Sequence, residues 1–151
     1  MRTIRDILLV EDNQSDIELT KRALIKGHIA NDLVVADDGQ KALDYLFGKG
    51  QYAGRDTSAL PALVLLDLKL PKVSGLDVLR QIRADEATKL LPVVILTTSA
   101  EQRDIVAGYN LCVNSYIRKP VDFNQFVECV KQIGLYWLVL NEPPYPKEEV
   151  L

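Results

Sequence analysis

The stretch from Ala62 to Leu76, ALVLLDLKLPKVSGL, decides the fold. An unbroken apolar run ends in Asp67, a turn containing Pro71 follows, and after Ser74 the residues Leu76, Leu79 and Ile82 recur at helical spacing. A run this short, without polar alternation, reads as a strand covered on both faces, the condition of a parallel sheet enclosed by helices. Ser74 offers a side-chain oxygen to the orphan amides of the first helical turn. One short segment therefore reads as strand, turn and helix start.

The same pattern recurs along the chain. Apolar runs at Ile7 to Val10, Leu33 to Ala36, Val93 to Leu96 and Val113 to Ile117 join Ala62 to Leu66, with helix-period segments between them. That alternation predicts an α/β fold with a parallel sheet and crossover helices. The fifth run admits Asn114, Ser115 and Tyr116 and so reads as an edge strand. Ser15-Asp16-Ile17-Glu18 and Ser99-Ala100-Glu101-Gln102 read as capping boxes. Asp37 or Asp38, Ser74 and Asp122 can cap the other helices, and Phe126, Val130, Ile133 and Trp137 form one apolar stripe on the last. Gly48 to Leu60 reads as a long polar loop, and Asn141 to Leu151, with Pro143, Pro144 and Pro146, cannot continue a helix. The expected organisation is one domain over 1–140 with the loop 48–60, and a proline-rich tail over 141–151.

Composition narrows the function. A chain of 151 residues with 48% hydrophobic and 26% charged residues has the material for a single folded core. Its 21 acidic and 18 basic residues give a net charge of -3, with no basic excess to drive binding to nucleic acid or an anionic membrane. No apolar run approaches the roughly 18 residues needed to span a bilayer, and the charged start gives no signal peptide. Cys112 and Cys129 are too few and too far apart for a disulfide framework or a zinc site, and read as buried thiols in a reducing cytosol. His28, the sole histidine, lies in a polar stretch ending a helix and reads as a solvated surface residue. The expected location is cytoplasmic.

Chemistry gathers where the strands end. Glu11 and Asp12 follow the first run, Asp67 ends the third, Thr97 the fourth, and Lys119-Pro120 the fifth. In such sheets all of these ends lie at one edge, where ligands bind near the topological switch point. Taken singly, each has a plain reading as a turn, cap or buried hydroxyl. Three carboxylates about 5 Å apart would repel by about 3 kcal/mol per pair at an effective dielectric near 20, so the cluster wants a cation. Oxygen donors without histidine or thiolate favour a hard ion such as magnesium. With that ion, Lys119 and the Thr97 hydroxyl would accommodate a phosphoryl group, and a carboxylate can accept one as an acyl phosphate.

With these motifs in order, ILLVEDN at Ile7 to Asn13, VLLDLKLPKVSGLDVL around Asp67, VVILTTS ending at Ser99 and YIRKP at Tyr116 to Pro120, the chain resembles the receiver domains of two-component response regulators. The resemblance implies a doubly wound, flavodoxin-like sheet in strand order 2-1-3-4-5 with five helices. It makes Asp67 the phosphoryl acceptor, Asp12 a direct magnesium ligand, Glu11 a partner through metal-bound water, and the Lys69 main-chain carbonyl a further ligand. Thr97 and Lys119 would hold phosphoryl oxygens, and Tyr116 matches the family's switch aromatic. It implies a cis Lys119–Pro120 peptide as well. Lys69 and Ser99 occupy positions that face the phosphoryl group, and Thr98 stands where a smaller residue is usual.

FGKGQY in the long loop, VNSYIRKP and YWL at Tyr136 to Leu138 are similar to the stand-alone response regulators that partner cyanobacterial and other bacterial phytochromes. That likeness implies a sensor histidine kinase as donor, output through a histidine phosphotransfer or effector protein, and a homodimer. Tyr109, Tyr136, Trp137, Val139 and Leu140 could supply the dimer surface, since Leu135 to Leu140 is apolar all round. The length leaves no room for a DNA-binding output domain, and the expected catalysis is confined to the chain's own aspartyl phosphorylation and dephosphorylation. A phosphatase of the haloacid dehalogenase type would want a second aspartate two positions after its nucleophile, where this chain has Lys69, and would carry the pair on its first strand. The nucleotide-binding motifs G-x-G-x-x-G and G-K-S/T do not occur. A non-phosphorylated adaptor is disfavoured by the complete set of Glu11, Asp12, Asp67, Thr97 and Lys119. Glu11, Asp12 and Asp67 together equal the whole net charge of -3, so the rest of the chain balances formally at zero.

Overall fold

The computed structural model describes residues 5–144. Five parallel strands, β1 (Ile7–Val10), β2 (Leu33–Ala36), β3 (Leu63–Leu66), β4 (Val93–Thr97) and β5 (Ser115–Arg118), form one sheet in the order β2-β1-β3-β4-β5. The helices α1 (Gln14–Lys26), α2 (Gly39–Phe47), α3 (Gly75–Ala84), α4 (Gln102–Asn110) and α5 (Phe123–Leu135) connect and flank the strands. A π-helical turn at Tyr136–Leu140 continues α5 directly. The chain leaves β1 toward β2 and then crosses back to β3, so the switch point opens between the ends of β1 and β3.

The apolar runs lack polar alternation because both faces are covered. Leu8 and Val10 of β1, Val64 and Leu66 of β3, and Val93 and Ile95 of β4 pack with α2 and α3 residues such as Leu46, Leu79 and Ile82. Their neighbours Leu9, Leu65 and Val94 pack on the opposite face with Leu24 of α1 and Val130 of α5. Burying one such side chain is worth about 1.5–3 kcal/mol, so a shift of strand register would be costly. β5 is an edge strand, as its composition predicts, and β2 is the other.

Asp38, Ser74 and Asp122 cap α2, α3 and α5, accepting from the amides of Lys41, Asp77 and Gln125. The two predicted capping boxes are not formed. Asn13, an equally competent acceptor, caps α1 two residues before Ser15 and takes the Asp16 amide at 3.0 Å. α4 has Glu101 at its N-cap without a side-chain cap bond, because Ser99 Oγ instead donates to Asp104 at 2.6 Å.

β5 begins two residues later than its apolar run. Cys112 turns the chain with a φ of 59°, and the Asn114 side chain accepts the Val93 amide at 2.8 Å ahead of the ladder. Cys112 is exposed and Cys129 half-buried, so neither is the buried thiol expected. His28 is exposed as predicted, with a φ of 57° just beyond α1. The 48–60 segment contains a short 3-10 turn at Gly50–Tyr52, and Arg55 fastens it by donating to the Tyr45 carbonyl at 3.0 Å, its guanidinium 3.9 Å from the Tyr45 ring centroid.

At the opposite end of the sheet, Arg83 of α3 donates to the carbonyls of Leu91 at 2.8 Å, Cys112 at 2.9 Å and Leu111 at 3.1 Å. One guanidinium thereby ties α3 to the approach to β4 and to the turn after α4. Of the tail, 145–151 lies outside the described residues.

Candidate functional site

Register brings the strand ends together. Val10 and Leu66 are partners across β1 and β3, so Glu11 and Asp67 leave adjacent strands side by side. Thr97 pairs with Arg118 across β4 and β5, which sets Lys119 next to it. The backbone fixes these exits: Glu11 N–H donates to Ala36 at 3.0 Å, Asp67 N–H to Val10 at 3.0 Å and Lys119 N–H to Thr97 at 2.7 Å. Gly75 allows α3 to start against the Asp67 loop, because a Cβ there would overlap the Asp67 carbonyl oxygen and lie 2.6 Å from Leu68 Cα.

The Lys119 ammonium is the electrostatic centre. Its Nζ donates to Glu11 Oε1, to Asp16 Oδ2 at 2.8 Å and to Asp67 Oδ2 at 3.1 Å, matching three N–H donors with three carboxylates. Glu11 is 3% exposed, Lys119 7%, Asp67 9% and Thr97 fully buried, so these pairs are shielded from water. The other Glu11 oxygen accepts the amides of Asp12 at 3.0 Å and Asn13 at 3.2 Å, and Asp67 Oδ1 accepts the Leu68 amide at 2.7 Å. The Lys119–Pro120 peptide is trans, contrary to expectation. Trans is the lower-energy isomer of an X-Pro bond, and here it already carries the lysine inward.

Burial pushes the Glu11 carboxyl up to about 7, against the hydrogen bond and charge of Lys119 and with help from the charge of Asp67. Burial acts to raise Asp67 too, but hydrogen bonding by Thr97 and the charge of Lys119 outweigh it and hold that carboxyl below its ordinary value. Burial disfavours the Lys119 charge, yet Asp16, Glu11 and Asp67 together keep the ammonium above the ordinary lysine value. Asp67 is thus a carboxylate at neutral pH and Lys119 a cation.

Carboxylate oxygens of Glu11, Asp12 and Asp67 lie within 4.8 Å of one another. The set is all oxygen, Asp12 faces solvent, and a buried ammonium already sits between Glu11 and Asp67, so the residues fit a hard divalent cation. Lys69 lies in the loop after β3 with its side chain exposed.

Beyond this cluster, Tyr116 is half-buried and its hydroxyl donates to the Ser99 carbonyl at 3.0 Å. Ser99 is buried, its amide donates to Thr97 Oγ1 at 3.4 Å, and Thr98 points to solvent. A chain of contacts runs from Thr97 through Ser99 to Tyr116 and Asp104. Only Gly108 of α4 is buried, and a Cβ there would stand 3.4 Å from Tyr116 Cδ2, so this helix rests lightly on the Tyr116 ring. Sequence reading missed two members. Asp16 reads as part of a capping box in the sequence, although it stands four residues after Asp12 at the same sheet edge, and Asp104 carries no signal.

The residues expected to form a dimer surface lie outside this cluster, Tyr109 on α4 and the others in the turn after α5. Tyr109, Tyr136, Val139 and Leu140 are exposed, whereas Trp137 is half-buried against the α1 and α5 core with Tyr136 edge-on at 5.1 Å. Ser115, Ile117, Cys129, Tyr136 and Trp137 line an open groove of about 490 Å³ beside β5. No helix among the described residues is long and apolar enough to cross a membrane.

Residues 7–131 match the family described as response regulator receiver domain. The chain is 43% identical over 140 residues to the probable methanogenesis regulatory protein FilR2 of Methanothrix harundinacea, covering 93% of this chain and 88% of that one. It is similar to the crystal structure of the phosphorylated cyanobacterial phytochrome response regulator RcpA, with a TM-score of 0.88 and 40% identity over 95% of this chain and all of that one. The Mn(2+)-bound form of response regulator Rcp1, a protein of Synechocystis, superposes with a TM-score of 0.86 and 36% identity, covering 93% of this chain and 99% of that one.

Proposed function

Because the chain belongs to the response regulator receiver domain family, we propose that Asp67 accepts a phosphoryl group from the phosphohistidine of a sensor histidine kinase. A carboxylate oxygen of Asp67 forms the new bond to phosphorus as the bond to the imidazole nitrogen breaks, giving an acyl phosphate and a free imidazole. Magnesium is the cation we assign to Glu11, Asp12, Asp67 and the Lys69 carbonyl, where it would neutralise phosphoryl oxygens. Lys119 and Thr97 supply the remaining contacts, an ammonium and a hydroxyl aimed at those oxygens.

The single observation that carries this reading is the Asp67 carboxylate, ionised and hydrogen-bonded to Lys119 within a cation-seeking cluster at the switch point. Thr97 drawn toward the phosphoryl group would disturb its contact with Ser99 and, through it, Tyr116, turning a covalent event into a change of surface. Output then passes through protein contacts, to an effector or a histidine phosphotransfer protein. The likeness to RcpA favours a phytochrome as the kinase, and the exposed Tyr109, Tyr136, Val139 and Leu140 favour a homodimer, with Trp137 supporting that surface from below.

The test is incubation with magnesium and acetyl phosphate followed by intact mass measurement. One base-labile phosphoryl group, absent in Asp67→Asn, supports the assignment. No adduct, or an adduct that survives the substitution, overturns it.

A further inference from the structure

We propose that Asp16 is a positioning residue: it holds the Lys119 ammonium while a divalent cation occupies Glu11 and Asp67, and so sets the affinity for a cation it does not touch. The inference rests on reading Glu11, Asp12 and Asp67 as a cation site.

Lys119 Nζ donates to three carboxylates, of which Glu11 and Asp67 belong to the mutually close cluster and Asp16 does not. The ammonium and a divalent cation therefore compete for the same two carboxylates, Glu11 and Asp67. Binding of the cation takes two of the three acceptors from a lysine whose side chain is only 6% exposed. A buried ammonium stripped of its partners is costly, so the cation must overcome that loss unless one acceptor stays. Asp16 is that acceptor.

Its placement suits the role. Asp16 sits in the first turn of α1, where its amide donates to the Asn13 cap at 3.0 Å and its carbonyl accepts from Thr20 Oγ1 at 2.7 Å. A carboxylate on an anchored helical turn stays in place while the lysine side chain pivots. A capping role accounts for none of this, since Asn13 caps the helix.

Calorimetric titration of the metal-free protein with magnesium alone tests the idea. Asp16→Ala should weaken binding by roughly fivefold or more, within the usual range of coupling between sites. Because removing any nearby negative charge would also weaken a cation, the decisive measurement repeats the substitution in a Lys119→Ala background, as a double-mutant cycle. Asp16→Ala should then change the affinity by less than about twofold. An equal loss in both backgrounds, or no loss in either, overturns the proposal. Asp16→Asn retains an acceptor oxygen for the lysine and should fall between Ala and wild type; it supplies the comparison if the alanine variant folds poorly. No phosphodonor is present, so a chain that shows this coupling but takes no phosphoryl group from acetyl phosphate would fail the proposed function and retain this inference.

Discussion

The Lys119 amide donates to the Thr97 carbonyl at 2.7 Å, so the two residues assigned to opposite sides of a phosphoryl group are joined through their backbones. A displacement of one is felt by the other at the level of the sheet. Side-chain substitutions can therefore probe the site without cutting this link.

Lys119→Met removes the cation from between two buried carboxylates. Stripping one partner from a buried ion pair costs about 3 kcal/mol, and the metal-free protein should lose stability on that scale in urea unfolding. Millimolar magnesium should restore part of it. Unchanged stability without magnesium would argue against Lys119 as the counter-charge of the cluster.

Gly75→Ala places a methyl group onto the Asp67 carbonyl, backbone that cannot swing aside. Overpacking of this kind costs about 1–3 kcal/mol, and the distortion falls on the acceptor loop. Denaturant midpoint and the rate of labelling by acetyl phosphate should fall together. A fall in stability with an unaltered labelling rate would separate the glycine from the site.

The pH dependence follows from Glu11. Its carboxyl holds a proton up to about 7 in the folded protein but releases it near 4.5 when unfolded. The folded state therefore binds more protons between these values, and stability falls as pH rises through that window, with the full penalty present above it. Asp67, whose pKa is lowered, acts in the opposite sense only below its ordinary 3.8, so it does not mask the effect. Melting temperatures of the metal-free protein should drop from pH 5 to pH 7.5, and Glu11→Gln should flatten the profile. A parallel drop in the variant would assign the window to other groups.

Tyr116→Phe deletes the bond to the Ser99 carbonyl, a contribution of about 1 kcal/mol at most for a half-buried pair. Labelling at Asp67 should continue at a similar rate, while any change of oligomeric state on phosphorylation should weaken. Loss of labelling itself would place the tyrosine in the chemistry rather than in its transmission.

Ending the chain before Tyr136 removes Trp137, Val139 and Leu140 together. Sedimentation of the shortened protein should report fewer copies per assembly than the full chain. An unchanged number of copies per assembly would take this segment out of the self-contact.

What the sequence made legible was local or periodic. Unbroken apolar runs mark strands covered on both faces, and parallel topology then aligns their ends, which is why Glu11, Asp12, Asp67, Thr97 and Lys119 could be grouped in advance. Caps at Ser74, Asp38 and Asp122 follow from one side chain and its nearby amides. Asn13 and Ser15 have the same capping chemistry, and only the chain's entry angle decides between them. Asp16 could not be paired with Lys119, because they are 103 residues apart and meet only through the order of the strands. Cys112 looked like a core thiol by residue type, but the positive-φ turn that starts β5 turns it outward.

Arg83 gives the region around α4 a fixed frame. Its bonds to Leu111 and Cys112 hold the turn that leaves the helix, whereas the opposite end of α4 has no side-chain cap and is restrained through Ser99 and Asp104. The helix is mounted as a lever with its fulcrum at the far end. A shift beside Thr97 would act on the end held through Ser99 and Asp104 and tilt the helix about the end that Arg83 pins.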